Sequence, residues 1–201
     1  RYTWAQTRER SARLAAALRA LGVGRLHTVS VMLPNTPEMV EAHYAVPAIN
    51  AVLNTLNTRL DAPLLAWQMY HCEAAVLITD REFAPVMVQA LALLKSEHGR
   101  SPVVIDVADS EYTGPGDHVG TLDYESLLAA HAPLARLGGP ADEWDAIAVS
   151  YTSGTTGNPK GALYSHRSTL LHAMAAATPD ALNCSAADTI LPVVPMFHVN
   201  A

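Results

Sequence analysis

The chain has 201 residues, half of them apolar, and a formal net charge of -6. Such a length can bury a sizeable core, so a globular domain is expected and disorder is not. The acidic balance argues against general nucleic-acid binding, which needs a basic face.

The N-terminal part of the chain alternates helical and extended patterns. Thr3 begins the first helix with Gln6 three residues later, which is a capping-box pattern, and Gly22 offers the stop. Strands are expected over 28–33, 51–56, 75–79 and 102–106, and helices after Thr36, Asp61, Asp80 and Asp123. This alternation predicts an α/β fold, with layers of a parallel sheet and flanking helices.

The stretch 152–161, TSGTTGNPKG, carries the clearest chemistry. Three glycines let backbone N–H groups turn toward one point, four hydroxyl side chains add donors, and Lys160 adds a positive charge. These groups are suited to wrapping a polyphosphate. Strands are expected on both sides, over 144–151 and 161–165, and a helix over 166–177. The only other lysine of the chain is Lys95, so Lys160 does not reflect a general abundance of lysine.

Two other interpretations of this loop are weaker. A Walker-type phosphate loop needs Gly-Lys-Ser/Thr at its end, but Pro159 precedes Lys160 and Gly161 follows it. A flexible surface turn has no need of the lysine and rarely joins two buried strands. The sequence therefore predicts a phosphate loop of another kind.

The segment YTSGTTGNPKGALYSHR closely resembles the phosphate-binding signature of the acyl-adenylate-forming superfamily. YTWAQ near the start, AVLNTLNTRL in the middle and PMFHVNA at the end extend the likeness, and the chain looks most like an AMP-forming acyl-CoA synthetase of the fatty-acyl-CoA ligase type. The resemblance implies that 1–201 is part of the large N-terminal AMP-binding (adenylation) domain. It also implies that the C-terminal part of the enzyme, with its later motifs, is absent, so this fragment alone is expected to be inactive.

The resemblance also implies a reaction and its site residues. A carboxylic acid attacks the α-phosphate of ATP to give an acyl-adenylate, and coenzyme A then displaces AMP. Lys160 and His198 would be catalytic, and Mg²⁺ would be touched by Thr155 or Thr156, a choice that the sequence leaves open. His198 would lie beside the carboxylate and gate the acyl and CoA pockets, after a strand expected over 189–194. Triphosphate binding falls to Thr152, Ser153, Gly154, Thr155, Thr156, Gly157 and Lys160.

Several wider expectations complete this interpretation. No apolar run reaches the ~18 residues of a membrane span, and charged residues interrupt any secretory signal at the N-terminus. Cys72 and Cys184 are too few for a disulfide framework, which favours a reducing, cytoplasmic compartment.

A fatty acid is the expected substrate, while the oligomeric state stays open. The alternative function is a non-catalytic nucleotide-binding or interaction module. Among departures from the family pattern, Asn50 stands where relatives usually have Gly, and Asn tolerates the same left-handed backbone.

Overall fold

The computed structural model describes residues 2–152 and 159–198. Helices and strands alternate along this part of the chain, with a short 3₁₀ turn at Arg81–Phe83. The helices are α1 (Trp4–Ala20), α2 (Pro37–Ala48), α3 (Ala62–His71), α4 (Ala84–His98), α5 (Tyr124–Ala130) and α6 (His166–Ala176). The strands are β1 (Thr28–Met32), β2 (Val52–Thr55), β3 (Ala74–Asp80), β4 (Val103–Val107), β5 (Leu122–Asp123), β6 (Ala146–Tyr151) and β7 (Gly161–Ser165).

The strands form one seven-stranded sheet in the order β5-β4-β3-β1-β2-β6-β7. Every neighbouring pair is parallel except β6 and β7, which form an antiparallel hairpin. The predicted α/β fold with a mostly parallel sheet is therefore confirmed. The antiparallel edge has a simple cause, because only nine residues (152–160) separate β6 from β7 and a parallel crossover needs a dozen or more.

Helices cover the sheet on both faces. Along β3, Val76 and Ile78 belong to the apolar cluster beneath α1, α2 and α5, whereas Leu77 belongs to the cluster beneath α3 and α4. Because successive strand residues point to opposite faces, these two clusters lie on opposite sides of the sheet. Burial on both faces is typical of parallel strands, and it explains why they are continuous apolar runs in the sequence.

Local signals mark several element boundaries correctly. Thr3 and Gln6 form the complete capping box of α1, and Asp61 accepts a hydrogen bond from the N–H of Leu64 at the start of α3. Asn50 has a φ of 61°, the left-handed conformation that the sequence suggested it could adopt. The helix expected after Thr36 is α2, and it continues through Pro47 to Ala48.

One expected strand is wrong. Residues 189–194 form no strand and pair with no strand in the described part of the chain. Leu191 and Val193 are each 82 % exposed. An apolar run becomes a strand only where a second backbone supplies hydrogen-bond partners, and the sheet places none beside this segment. In contrast, the two-residue strand β5 was not expected, because it is too short to show a pattern.

Candidate functional site

The ends of the glycine-rich loop are joined by the β6–β7 hairpin. Tyr151 pairs with Gly161 in the ladder, and the N–H of Thr152 donates to the carbonyl of Lys160 over 3.0 Å. The loop therefore leaves and re-enters the sheet at neighbouring points, as a compact anion-binding loop requires. Five predicted phosphate and metal ligands lie within 153–158, outside the described residues: Ser153, Gly154, Thr155, Thr156 and Gly157.

An aromatic cluster supports the β6 end of the loop. The hydroxyl of Tyr151 lies 2.7 Å from Nδ1 of His71, and the His71 ring stacks on Trp67 with 4.8 Å between centroids. Trp67 also meets Tyr151 edge-on at 5.9 Å. Burial raises the pKa of Tyr151, so the phenol stays protonated and can donate to the imidazole. These contacts fix the strand residue immediately before Thr152.

The segment that carries His198 is held by the carboxyl ends of β1 and β2. Asn35, just beyond β1, accepts from the N–H of Met196 at 2.7 Å and donates to the carbonyl of Val194 at 3.0 Å. Thr55, the last residue of β2, donates to the carbonyl of Phe197 at 2.9 Å. The Met196 side chain is buried in the core beneath α1 and α2. His198 lies two residues after Met196 and is exposed.

Two cavities meet at this segment. Cavity A, of about 660 Å³, lies between α2 and α6 over β2, β6 and β7, and its lining is mostly apolar. Cavity B, of about 420 Å³, lies between α3 and the carboxyl ends of β2 and β6. Tyr164 and His198 line both cavities and so form the wall that they share. In parallel sheets, ligands bind beyond the carboxyl ends of the strands, and cavity B occupies such a position.

The described site residues gather around cavity B with one exception. Thr152 and Pro159 line it at the loop end, and His198 lines it at the opposite wall. The side chain of Lys160 is exposed and lines neither of the two cavities within the described part of the chain. The structure thus brings Thr152 and His198 to one cavity, whereas the exposed side chain of Lys160 is not part of the lining of that cavity.

The histidine that follows the loop is better explained by packing. The N–H of His166 donates to the carbonyl of Asp145 at 3.1 Å, and burial lowers the pKa of its imidazole. Its neighbour Arg167 pairs with Glu143 at 2.7 Å and lies over the ring of Trp144. These contacts attach the start of α6 to the chain before β6, and they favour a packing role for His166.

Sequence reasoning missed three residues of the site. It assigned no site role to Asn35, His43 or Tyr164. Asn35 nevertheless hydrogen-bonds to the His198 segment, and the other two residues line cavity A. The Pro-Asn-Thr-Pro turn directly after β1 was the one available signal, because carboxyl ends of parallel strands are where sites form. For His43 and Tyr164 the sequence carries no such signal.

The described part of the chain contains neither a cluster of metal ligands nor a helix that could span a membrane. Within 2–152 and 159–198, no three His, Cys, Asp or Glu side chains come together in a way that could hold a metal ion. In the same ranges, no helix is long and apolar enough to cross a membrane.

Comparison with known proteins gives a consistent result. A family model described as "AMP-binding enzyme" matches residues 1–201. A peroxisomal acetate/butyrate–CoA ligase from Arabidopsis thaliana is 38 % identical over 206 residues, covering 99 % of this chain and 36 % of that protein. A medium-chain-fatty-acid–CoA ligase from Ectopseudomonas oleovorans is 38 % identical over 204 residues, covering 100 % of this chain and 36 % of that protein.

Solved structures agree. The inhibitor-bound N-terminal domain of FACL13 from Mycobacterium tuberculosis superposes with a TM-score of 0.74 at 27 % identity, covering 98 % of this chain and 45 % of that one. The chain spans about a third of the length of the curated relatives that it matches.

Proposed function

The chain belongs to the family of AMP-binding enzymes, and from this membership we propose that the full-length protein is an acid–thiol ligase. It would use ATP to convert a carboxylic acid to an acyl-adenylate, and coenzyme A to convert that adenylate to a thioester. One observation carries the proposal: Thr152 and Pro159, which stand at the two described ends of the glycine-rich loop, line cavity B together with His198. Residues 1–201 would be the phosphate-binding part of its N-terminal domain.

In this proposal the loop binds the triphosphate of ATP. The demand of the first step is to stabilise negative charge on the leaving pyrophosphate, which N–H groups, hydroxyls and a lysine can meet. A unit charge at ~4 Å contributes about 4 kcal/mol at an effective dielectric near 20, so Lys160 should matter more than any single hydroxyl. Its exposed ammonium group is free to swing toward a phosphate at the loop. Bound Mg²⁺ would neutralise part of the charge, with Thr155 or Thr156 as its protein ligand.

In the proposed reaction, cavity A would hold the apolar chain of the acid, and its carboxylate would lie toward cavity B. His198 is on their shared wall, so the carboxylate would lie at His198 between an apolar space on one side and the phosphate loop on the other. The mostly apolar cavity A is suited to an aliphatic chain, which supports the proposal of a fatty or similar acid. The relatives' names range from acetate/butyrate to medium-chain fatty acids. A cytoplasmic location stays a prediction, since one of these relatives is named as peroxisomal.

The proposal is tested by replacing Lys160 in the full-length protein. Lys160→Ala should lower acid-dependent pyrophosphate release by ~10²-fold or more, because the charge that stabilises the leaving group is lost. Lys95→Ala is the matched control, since Lys95 lies near the end of α4 and lines neither cavity. Equal turnover in both variants would refute the role given to the loop. Tight ATP binding without pyrophosphate release from any acid in a panel would instead favour a non-catalytic nucleotide-binding module.

A further inference from the structure

The segment that ends in His198 lacks the backbone ladder that holds most site residues in this fold. Residues 192–198 form neither helix nor strand, and the apolar residues just before them face solvent. A backbone in this state is fixed only by side chains that reach it. In the described part of the chain, the side chains that hydrogen-bond to this segment are those of Asn35 and Thr55.

Asn35 uses both ends of its amide on this one segment. Its Nδ2 donates to the carbonyls of Val194 at 3.0 Å and Pro192 at 3.4 Å, while its Oδ1 accepts from the N–H of Met196 at 2.7 Å. The contacts therefore bracket Pro195, whose carbonyl in turn accepts from the N–H of His198 at 2.9 Å. Only an amide can make this combination of bonds, because a carboxylate could accept but not donate and an alkyl group could do neither.

Asn35 itself has a firm support. It follows β1, which is buried along its whole length at the centre of the sheet, and it precedes the Pro37 start of α2. The side chain thus projects from a short turn, which is anchored between the buried strand β1 and α2, onto a segment without helix or strand. Its sequence distance from the segment, about 160 residues, explains why no local pattern revealed the contact.

We propose that Asn35 is a positioning residue, which holds the His198 turn on the wall between cavities A and B. This inference rests on the proposed role of His198 as the residue beside the reacting carboxylate. Without Asn35, Met196 still fills its core position and Thr55 still reaches Phe197, so the domain should fold. The turn would nevertheless lose the three hydrogen bonds that Asn35 makes to it, and the His198 imidazole would then sample positions away from the wall between the two cavities. A misplacement of about 1 Å at a reacting group can cost ~10²-fold in rate.

The test is a double-mutant cycle in the full-length protein, read as acid-dependent pyrophosphate release. Asn35→Ala should lower kcat/KM for the acid by about 10- to 100-fold. Asn35→Asp should lower kcat/KM for the acid to a similar extent. It keeps the acceptor for the N–H of Met196 but loses the bonds donated to the carbonyls of Pro192 and Val194. Because Asn35 acts through His198, the Asn35→Ala/His198→Ala double variant should be no slower than His198→Ala alone. Additive losses would overturn the proposal.

A spectroscopic reading separates this inference from the proposed function. With ¹³C-labelled histidine, the resonance of His198, assigned by its disappearance in His198→Ala, should shift or broaden in Asn35→Ala. Asn50→Gly is the matched control. Asn50 lies before β2, at the amino ends of the parallel strands, whereas Asn35 lies beyond the carboxyl end of β1. The left-handed φ of 61° at Asn50 suits glycine. An unchanged His198 resonance in Asn35→Ala would refute the positioning role. A shifted resonance with full activity in His198→Ala would keep the positioning role and refute the catalytic role of His198.

Discussion

Replacing Arg10 by Met should destabilise the domain by about 3 kcal/mol. Arg10 joins α1 to α2 and α5: its Nε donates to Glu41 at 2.5 Å, and its terminal nitrogens pair with Glu125. Glu41 is completely buried, and its second oxygen accepts from the hydroxyl of Tyr124 at 2.7 Å. Arg10→Met would leave the Glu41 carboxylate buried without its cation, and removing one partner of a buried pair costs about 3–5 kcal/mol.

The loss of stability in Arg10→Met should come from the buried Arg10–Glu41 pair and not from the exposed Arg10–Glu125 pair. The Arg10 side chain is 15 % exposed and Glu125 is 59 % exposed, so the Arg10–Glu125 pair should contribute no more than about 1 kcal/mol. Glu125→Gln is therefore the matched control. Burial raises the pKa of Glu41 more than its hydrogen bonds lower it, and removing Arg10 raises it further. A carboxyl whose folded pKa exceeds its unfolded value favours folding at low pH, so the deficit of Arg10→Met should shrink as pH falls through that pKa.

Urea unfolding followed by circular dichroism measures both variants at neutral pH and again near pH 5. Adding Glu41→Gln to Arg10→Met should recover part of the lost stability, because an amide can still accept from Tyr124 and carries no charge. The reasoning is refuted if Arg10→Met costs no more than Glu125→Gln. It is equally refuted if Glu41→Gln deepens the loss, since the damage would then be lost packing and not an unpaired charge.

Two further predictions concern packing and thiol chemistry. Gly120→Ala should lower the midpoint of urea unfolding by an amount equivalent to about 1–3 kcal/mol, because the new Cβ would lie 2.5 Å from the carbonyl oxygen of Val104. Gly139→Ala is the control and should be nearly neutral, since its Cβ would meet nothing within 4 Å. Equal midpoints for the two variants would contradict this prediction. Burial raises the pKa of Cys72 from 9.0 to about 11, so iodoacetamide at neutral pH should alkylate it about 100-fold more slowly in the native protein than in urea. The native rate should rise as pH approaches 11, and a rate independent of unfolding would show that the thiol is not protected.

Much of the fold was readable from local patterns. Continuous apolar runs such as 75–79 predicted strands, and cap residues such as Thr3 and Asp61 marked helix starts. These signals are local, since a cap or a strand pattern depends on a few neighbours in the chain. The strand expected over 189–194 failed for the converse reason. Its apolar residues fit a strand, but strand formation depends on a pairing partner that the pattern cannot reveal.

The sequence by itself predicted a phosphate loop over 152–161, because the spacing of its glycines, hydroxyls and Lys160 is a local property. Through the resemblance to a known family it also pointed to His198, and both site roles stay predictions. Only the tertiary structure decided what surrounds them: the clamp between Thr152 and Lys160, the shared wall of the two cavities, and the hold of Asn35 on the His198 turn. The physical reason is distance along the chain. Asn35 and Val194 meet because strand order places the end of β1 near the cavity edge, and that order arises only when the whole sheet assembles.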